Sequence, residues 1–158
     1  MSMKSLSPII CAAALTFFLT AGINAQDRNA VIAAYNEGAK AMQTDPKAAI
    51  TSFEKVIELS DQVGETANDL KQKAVQVLPG LYYKVAATAY NEKKPAAEII
   101  AAAKTAGAIA EKYSNATHKE NSKKILVNGY YKMASEFYSA NDYDNAMLAF
   151  DSVLTLNP

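Results

Sequence analysis

The chain has 158 residues, enough for one domain with a real core or for a few stacked repeats. Hydrophobic residues make up 50% and charged residues 20%, a balance that argues against a disordered chain. The 16 Lys and Arg match the 16 Asp and Glu, so no positive field recruits nucleic acid, and that class of partner is not expected.

At the N-terminus Lys4 gives a short positive region, followed by an apolar stretch from Ile9 to Leu19. Ile23-Asn24-Ala25 then ends in a small residue before Gln26. That order predicts a secretory signal peptide over residues 1–25, cleaved after Ala25, and hence export to the periplasm or envelope. The apolar run, interrupted by Thr16 and Thr20, is shorter than the ~20 residues of a membrane span, so no stable membrane insertion is expected after cleavage. An uncleaved anchor is the competing reading. Cys11, the only cysteine, precedes most of the apolar stretch, which is the wrong place for lipidation. The mature chain, 26–158, has no disulfide and rests on packing.

From Asp27 on, the pattern is helical, and glycine and proline mark the joints. Asp27 is expected to cap a helix over 28–43, and Pro46 to open a second helix over 46–62. Ala49, Ile50, Phe53, Val56, Ile57 and Ser60 make one stripe of that second helix, which Gly64 closes. Thr66 with Asp69 suggests a cap for the third helix, and Ser114 or Thr117 with Glu120 a cap for the fifth. Pro79-Gly80 predicts a kink or short break in the third helix. Lys93-Lys94-Pro95 is read as a turn before an alanine-rich fourth helix ending near Tyr113. A helix over 115–140, the turn Asn141-Asp142 and a helix over 143–156 complete one domain.

A ladder runs through these helices. Tyr35, Tyr83 and Tyr131 stand 48 residues apart, each followed three positions later by a small residue: Gly38, Ala86 and Ala134. One fixed period marks a repeat array, here with repeats over about 28–63, 64–113 and 114–158. In the last copy Tyr130, Met133, Ala134 and Phe137 share a face, answered by Tyr143, Ala146, Phe150 and Val153, with Pro158 behind. This pattern resembles a tetratricopeptide repeat. Gly38, Ala41, Ala49, Phe53 and Val56 match it in the first copy. The middle copy keeps Tyr82, Val85, Ala86 and Ala89 but has Glu98 at the small position and Ala102 at the aromatic one, so a shifted or loose helix is expected. These repeats are also longer than the family's ~34 residues, like long-helix variants in exported bacterial proteins. The resemblance implies an all-α, short right-handed solenoid of antiparallel helix pairs. Gly38, Ala86, Ala134, Ala49 and Ala146 then mark close helix contacts, with Phe53 and Phe150 filling the wedges beside them.

The resemblance further implies a concave groove lined by the first helix of each repeat, holding a peptide or a partner protein. The groove candidates are Tyr35, Met42, Tyr83, Tyr90, Asn91, Tyr131, Ser135 and Tyr138. The competing reading is that these tyrosines seal one repeat against the next. Lys84 and Lys132 point further round, toward solvent, and the family's cationic carboxylate clamp is absent from this stripe. No catalytic residue, metal site or cofactor is expected: His118 is the one histidine, in a plain exposed setting, and no glycine-rich phosphate loop occurs. The run Glu54, Glu58, Asp61, Glu65 reads as a solvated face. A repeat array needs a polar cap at its end. The last helix leaves Met147, Phe150 and Leu154 without one, and three explanations compete: a fragment of a longer array, an end that pairs with another copy, or a partner that covers it; the second role left open is assembly through the C-terminal repeat, as a homo-oligomer or in an envelope complex.

Overall fold

The computed structural model describes the backbone of residues 16–156 and the side chains of residues 27–156. Six α-helices account for it: α1 (Thr16–Ala41), α2 (Pro46–Val63), α3 (Asn68–Asn91), α4 (Ala96–Lys112), α5 (Ala116–Ser139) and α6 (Tyr143–Leu156), with a short 3-10 turn over Glu65–Ala67. No strand occurs among the described residues. The protein is all-α. The predicted leader falls on residues whose side chains lie outside this description. Along the backbone, α1 passes through Ala25 and Asp27 unbroken, so Asp27 is an interior helical residue and not the expected cap.

Local chemistry sets the other ends. The Asp45 carboxylate accepts from the Lys47 and Ala48 N–H groups, and Pro46 occupies the first turn of α2, where its missing donor costs nothing. Gly64 ends α2 at φ 83°, with its N–H bonded to the Ser60 carbonyl. Side chains with a Cβ rarely adopt that angle, so glycine suits the position. Three further ends turn left-handed without glycine, at Lys93 (φ 55°), Ser114 (φ 55°) and Asn141 (φ 60°). At each, the next N–H reaches back five residues: Lys94 to Ala89, Asn115 to Ala110 and Asp142 to Phe137. These bonds absorb carbonyls that the helix ends leave unpaired.

Two expected caps do not form. Thr66 lies in the 3-10 turn, α3 starts with no side-chain cap bond, and the Asp69 carboxylate pairs instead with Arg28 of α1 at 3.1 Å. What desolvation that carboxyl suffers is outweighed by the bond to and the charge of Arg28, which hold its pKa below the ordinary value. At α5 neither Ser114 nor Thr117 caps. Asn115 accepts from the His118 N–H, because Ser114 already completes the end of α4 and leaves no loop between the two helices. Pro79 also fails to break α3, which is continuous across it. Its ring is fully buried beside Leu78, and that packing offsets one missing backbone bond.

Each helix packs on the next, and α3 touches both α1 and α5, whereas α2, α4 and α6 do not touch one another. The first core cluster joins Val31 and Ala34 of α1 to Ile50, Phe53 and Val56 of α2 and to Leu70, Leu78 and Leu81 of α3. The second joins Ala86 and Ala89 to Ile99, Ala103 and Ala106 of α4 and Ile125 of α5. Gly38, Ala86, Ala134, Ala49 and Ala146 are all buried. Close approach is literal at two seams. A Cβ on Gly38 would sit 3.1 Å from the Phe53 ring, and one on Gly129 only 2.8 Å from Ile100 Cγ1.

Two periods coexist. Along the first helices the buried set repeats at 48 residues, as in Gly38, Ala86 and Ala134. Between α2 and α4 it repeats at 50, taking Ala49, Ile50, Phe53, Val56 and Ser60 to Ile99, Ile100, Ala103, Ala106 and Ala110. Helix α4 therefore presents Ile99 and Ala103 to the core where the 48-residue register puts Glu98 and Ala102. Glu98 is exposed, and no carboxylate enters the contact.

Candidate binding cleft

The tyrosine ladder divides by position. Tyr35 is half-buried, with its ring 5.5 Å from that of Phe53 in an edge-on pair, and Met42 packs half-buried on the same cluster. Tyr83 is also half-buried, against the second cluster, and meets the His118 ring at 5.5 Å. These three side chains pack between helices and keep only part of their surface exposed. His118 is correspondingly half-buried, not the exposed residue expected, and its Nδ1 lies 3.0 Å from Asn115 Oδ1.

Tyr90, Asn91, Tyr131, Ser135 and Tyr138 are exposed. Three of them, Tyr90, Asn91 and Tyr131, come together in one cleft of about 570 Å³, with Lys93, Asn128 and Lys132 around the rim and Ile99 at the base. The end of α3 supplies Tyr90 and Asn91, the turn supplies Lys93, α4 supplies Ile99, and the middle of α5 supplies Asn128, Tyr131 and Lys132. Ser135 and Tyr138 lie further along α5. There the Tyr138 ring pairs edge-on with Tyr143 at 5.5 Å.

The cleft offers two aromatic faces, two side-chain amides and two ammonium groups. Lys132 is paired with Glu136 at 2.5 Å, while Lys93 has no ion-pair partner among the described residues. Rigid tyrosines grip a ligand with little loss of rotamer freedom, and amides can bond a backbone in either sense. This set suits an extended polypeptide. Lys93 and Asn128 were not singled out in the sequence. Lys93 was hidden because its place depends on the left-handed turn, and Asn128 because the α3–α5 contact was not legible.

A second cleft, about 620 Å³, opens between the α1–α2 turn, α3 and α4, over Val85, Ala89, Ala101 and Ala102. Lys84 lines it and is half-buried, not solvated as expected. Its Nζ donates to the Met42 carbonyl at 3.1 Å and the Gln43 carbonyl at 3.4 Å, at the negative end of α1. Lys94 at the same rim is paired with Glu92. Those two cations are engaged, and Lys47, Gln43, Thr44 and Glu98 line the same cleft. The acidic run faces outward: Glu54 accepts from the Tyr82 hydroxyl at 2.5 Å and Asp61 pairs with Lys71. Burial, then the bond to Glu54, pushes the Tyr82 hydroxyl above the ordinary tyrosine pKa. Among the described residues no group of three His, Cys, Asp or Glu side chains could hold a metal ion, and no helix is long and apolar enough to cross a membrane. Comparison with known proteins finds no family model that matches the chain, and no similar curated protein or solved structure.

Proposed function

We propose that the protein is a non-enzymatic adaptor of the cell envelope, a short right-handed solenoid of three tetratricopeptide-like repeats that holds an extended segment of a partner protein. The observation that carries this reading is the meeting of Tyr90, Asn91 and Tyr131 in one cleft with Lys93, Asn128 and Lys132. Support for the repeat architecture comes from the row of first helices, in which α3 touches α1 and α5 while the second helices stand apart. Support for export comes from the charged, then apolar, then small-residue order of residues 1–25.

The test is selection of peptides from a random displayed library on the 26–158 chain, followed by fluorescence anisotropy with the selected sequences. Tyr90→Ala with Tyr131→Ala is expected to weaken binding about a hundredfold, the loss of two aromatic anchors, with helicity unchanged. Unchanged affinity in that folded double variant would remove the cleft from the account. A second reading, a structural subunit that assembles through its C-terminal repeat, is favoured by the exposed apolar residues of α6.

A further inference from the structure

The cleft between the α1–α2 turn, α3 and α4 opens where small residues stand in place of the large ones of the last repeat. Val85, Thr88 and Ala89 of α3 line it, and 48 residues further on stand Met133, Glu136 and Phe137 of α5. Ala101 of α4 lines it too. Helix α6 follows α4 at 47 residues, as in Ile99 to Ala146, which puts Leu148 in the place of Ala101. At about 620 Å³ the cleft has the size of a small-molecule site.

One lysine is common to both repeats, and its partner differs. Lys132 holds the Glu136 carboxylate one turn along α5. Its counterpart Lys84 has Thr88 at that position, and its Nζ donates instead to the Met42 and Gln43 carbonyls. An ammonium carries three donors, so one N–H of this half-buried, fixed group is left over. The last repeat supplies from its own side chains a carboxylate on the lysine and apolar mass beside it. The second repeat keeps the lysine and lacks both.

The other charges narrow the ligand. Asp45 is engaged by the Lys47 and Ala48 N–H groups, and Glu92 by Lys94. Lys47 and Glu98 line the cleft with no ion-pair partner among the described residues. Lys84 and Lys47 attract a carboxylate, and Glu98 attracts an ammonium. This arrangement favours a ligand that carries both charges over a plain anion, which Glu98 would repel.

We infer that this cleft binds a free α-amino acid with a large apolar side chain, aromatic or branched. Its carboxylate takes the spare donor of Lys84 and its ammonium faces Glu98. Its side chain lies over Val85, Ala89 and Ala101, whose counterparts are Met133, Phe137 and Leu148. A few polar groups that fix orientation above an apolar floor are what such a site requires. The inference does not rest on the Tyr90–Tyr131 cleft.

Titration calorimetry of the 26–158 chain with L-phenylalanine and L-leucine is the test. Saturable binding is expected for at least one of them. Phenylpropionate, which lacks the ammonium, and phenethylamine, which lacks the carboxylate, should each bind about tenfold or more weakly than phenylalanine. Thr88→Glu gives Lys84 the carboxylate that Lys132 has, and Ala101→Leu gives α4 the side chain that α6 has. Both positions are exposed, so helicity should be unchanged, and each variant should weaken binding about tenfold or more. Tyr90→Ala with Tyr131→Ala should leave it intact, so that failure of the peptide cleft and failure of this site read separately. The proposal is overturned if neither amino acid binds saturably, if the folded Thr88→Glu and Ala101→Leu variants bind as the wild type does, or if phenylpropionate binds as tightly as phenylalanine.

Discussion

The first and last repeats carry the same aromatic pair in opposite surroundings. Tyr35 and Phe53 meet edge-on at 5.5 Å, and Tyr131 and Phe150 meet edge-on at 6.1 Å. Yet Phe53 is 1% exposed and Phe150 41%. The residue types and the pairing come from the repeat pattern, while the burial comes from the neighbour. Phe53 has Gly38 beneath it and belongs to a cluster that α3 completes, but α6 has no following helix against it among the described residues. Phe150 is therefore not the core residue that the family pattern implies. The same contrast runs through the ladder: Tyr35 and Tyr83 are half-buried, and Tyr131 is exposed by 52%.

The largest expected effect tests that contrast directly. Phe53→Ala should cost about 3–5 kcal/mol, because it removes a fully buried ring and leaves a cavity. Phe150→Ala should cost about 1–2 kcal/mol, since a ring already 41% exposed gives up less burial and leaves no closed cavity. Urea unfolding of both variants, with matching slopes, reads the difference. Equal losses would mean that α6 is as sealed as α2.

A smaller effect sharpens the comparison by locating the tightest seam. Gly129→Ala puts a Cβ 2.8 Å from Ile100 Cγ1 at the α4–α5 contact, and should destabilise by about 1–3 kcal/mol through overpacking. Gly107→Ala meets only Ser122 Cβ at 3.8 Å, and should stabilise α4 by about 0.5–1 kcal/mol through lost unfolded-state freedom. Opposite shifts in melting temperature check the pair. Two destabilised variants would mean that α4 fits more closely along its whole length than these distances imply.

Much of the fold was legible because helical stripes, prolines and glycines are local signals. The second helix was expected over 46–62 and spans Pro46–Val63, and the turn at Asn141-Asp142 lies where it was read. What escaped was set by contacts between distant segments. Asp69 forgoes a cap for Arg28, and Asn115 caps α5 because Ser114 absorbs the turn. The register of α4 departs from a single period of 48, since its buried set stands 50 residues after that of α2 and 47 before that of α6, as in Ile99 to Ala146 and Ala106 to Val153. The stripe Ile99, Ala103, Ala106 and Ala110 in the sequence carried that information, and Glu98 was a warning of it. In the cleft, the exposure of Tyr90 and Tyr131 depends on where α5 crosses α3, which no spacing within one helix reveals. Tyr35 and Tyr83 had both a groove and a sealing reading available, and their packing favours the seal.

Amide hydrogen exchange compared between α2 and α6 tests the central claim, a sealed first repeat beside an open last one, most directly. The account predicts that α2 amides around Phe53 exchange only through global unfolding, while α6 amides around Phe150 exchange through a local opening at least about tenfold faster. Equal protection of the two helices in the free chain would contradict the account.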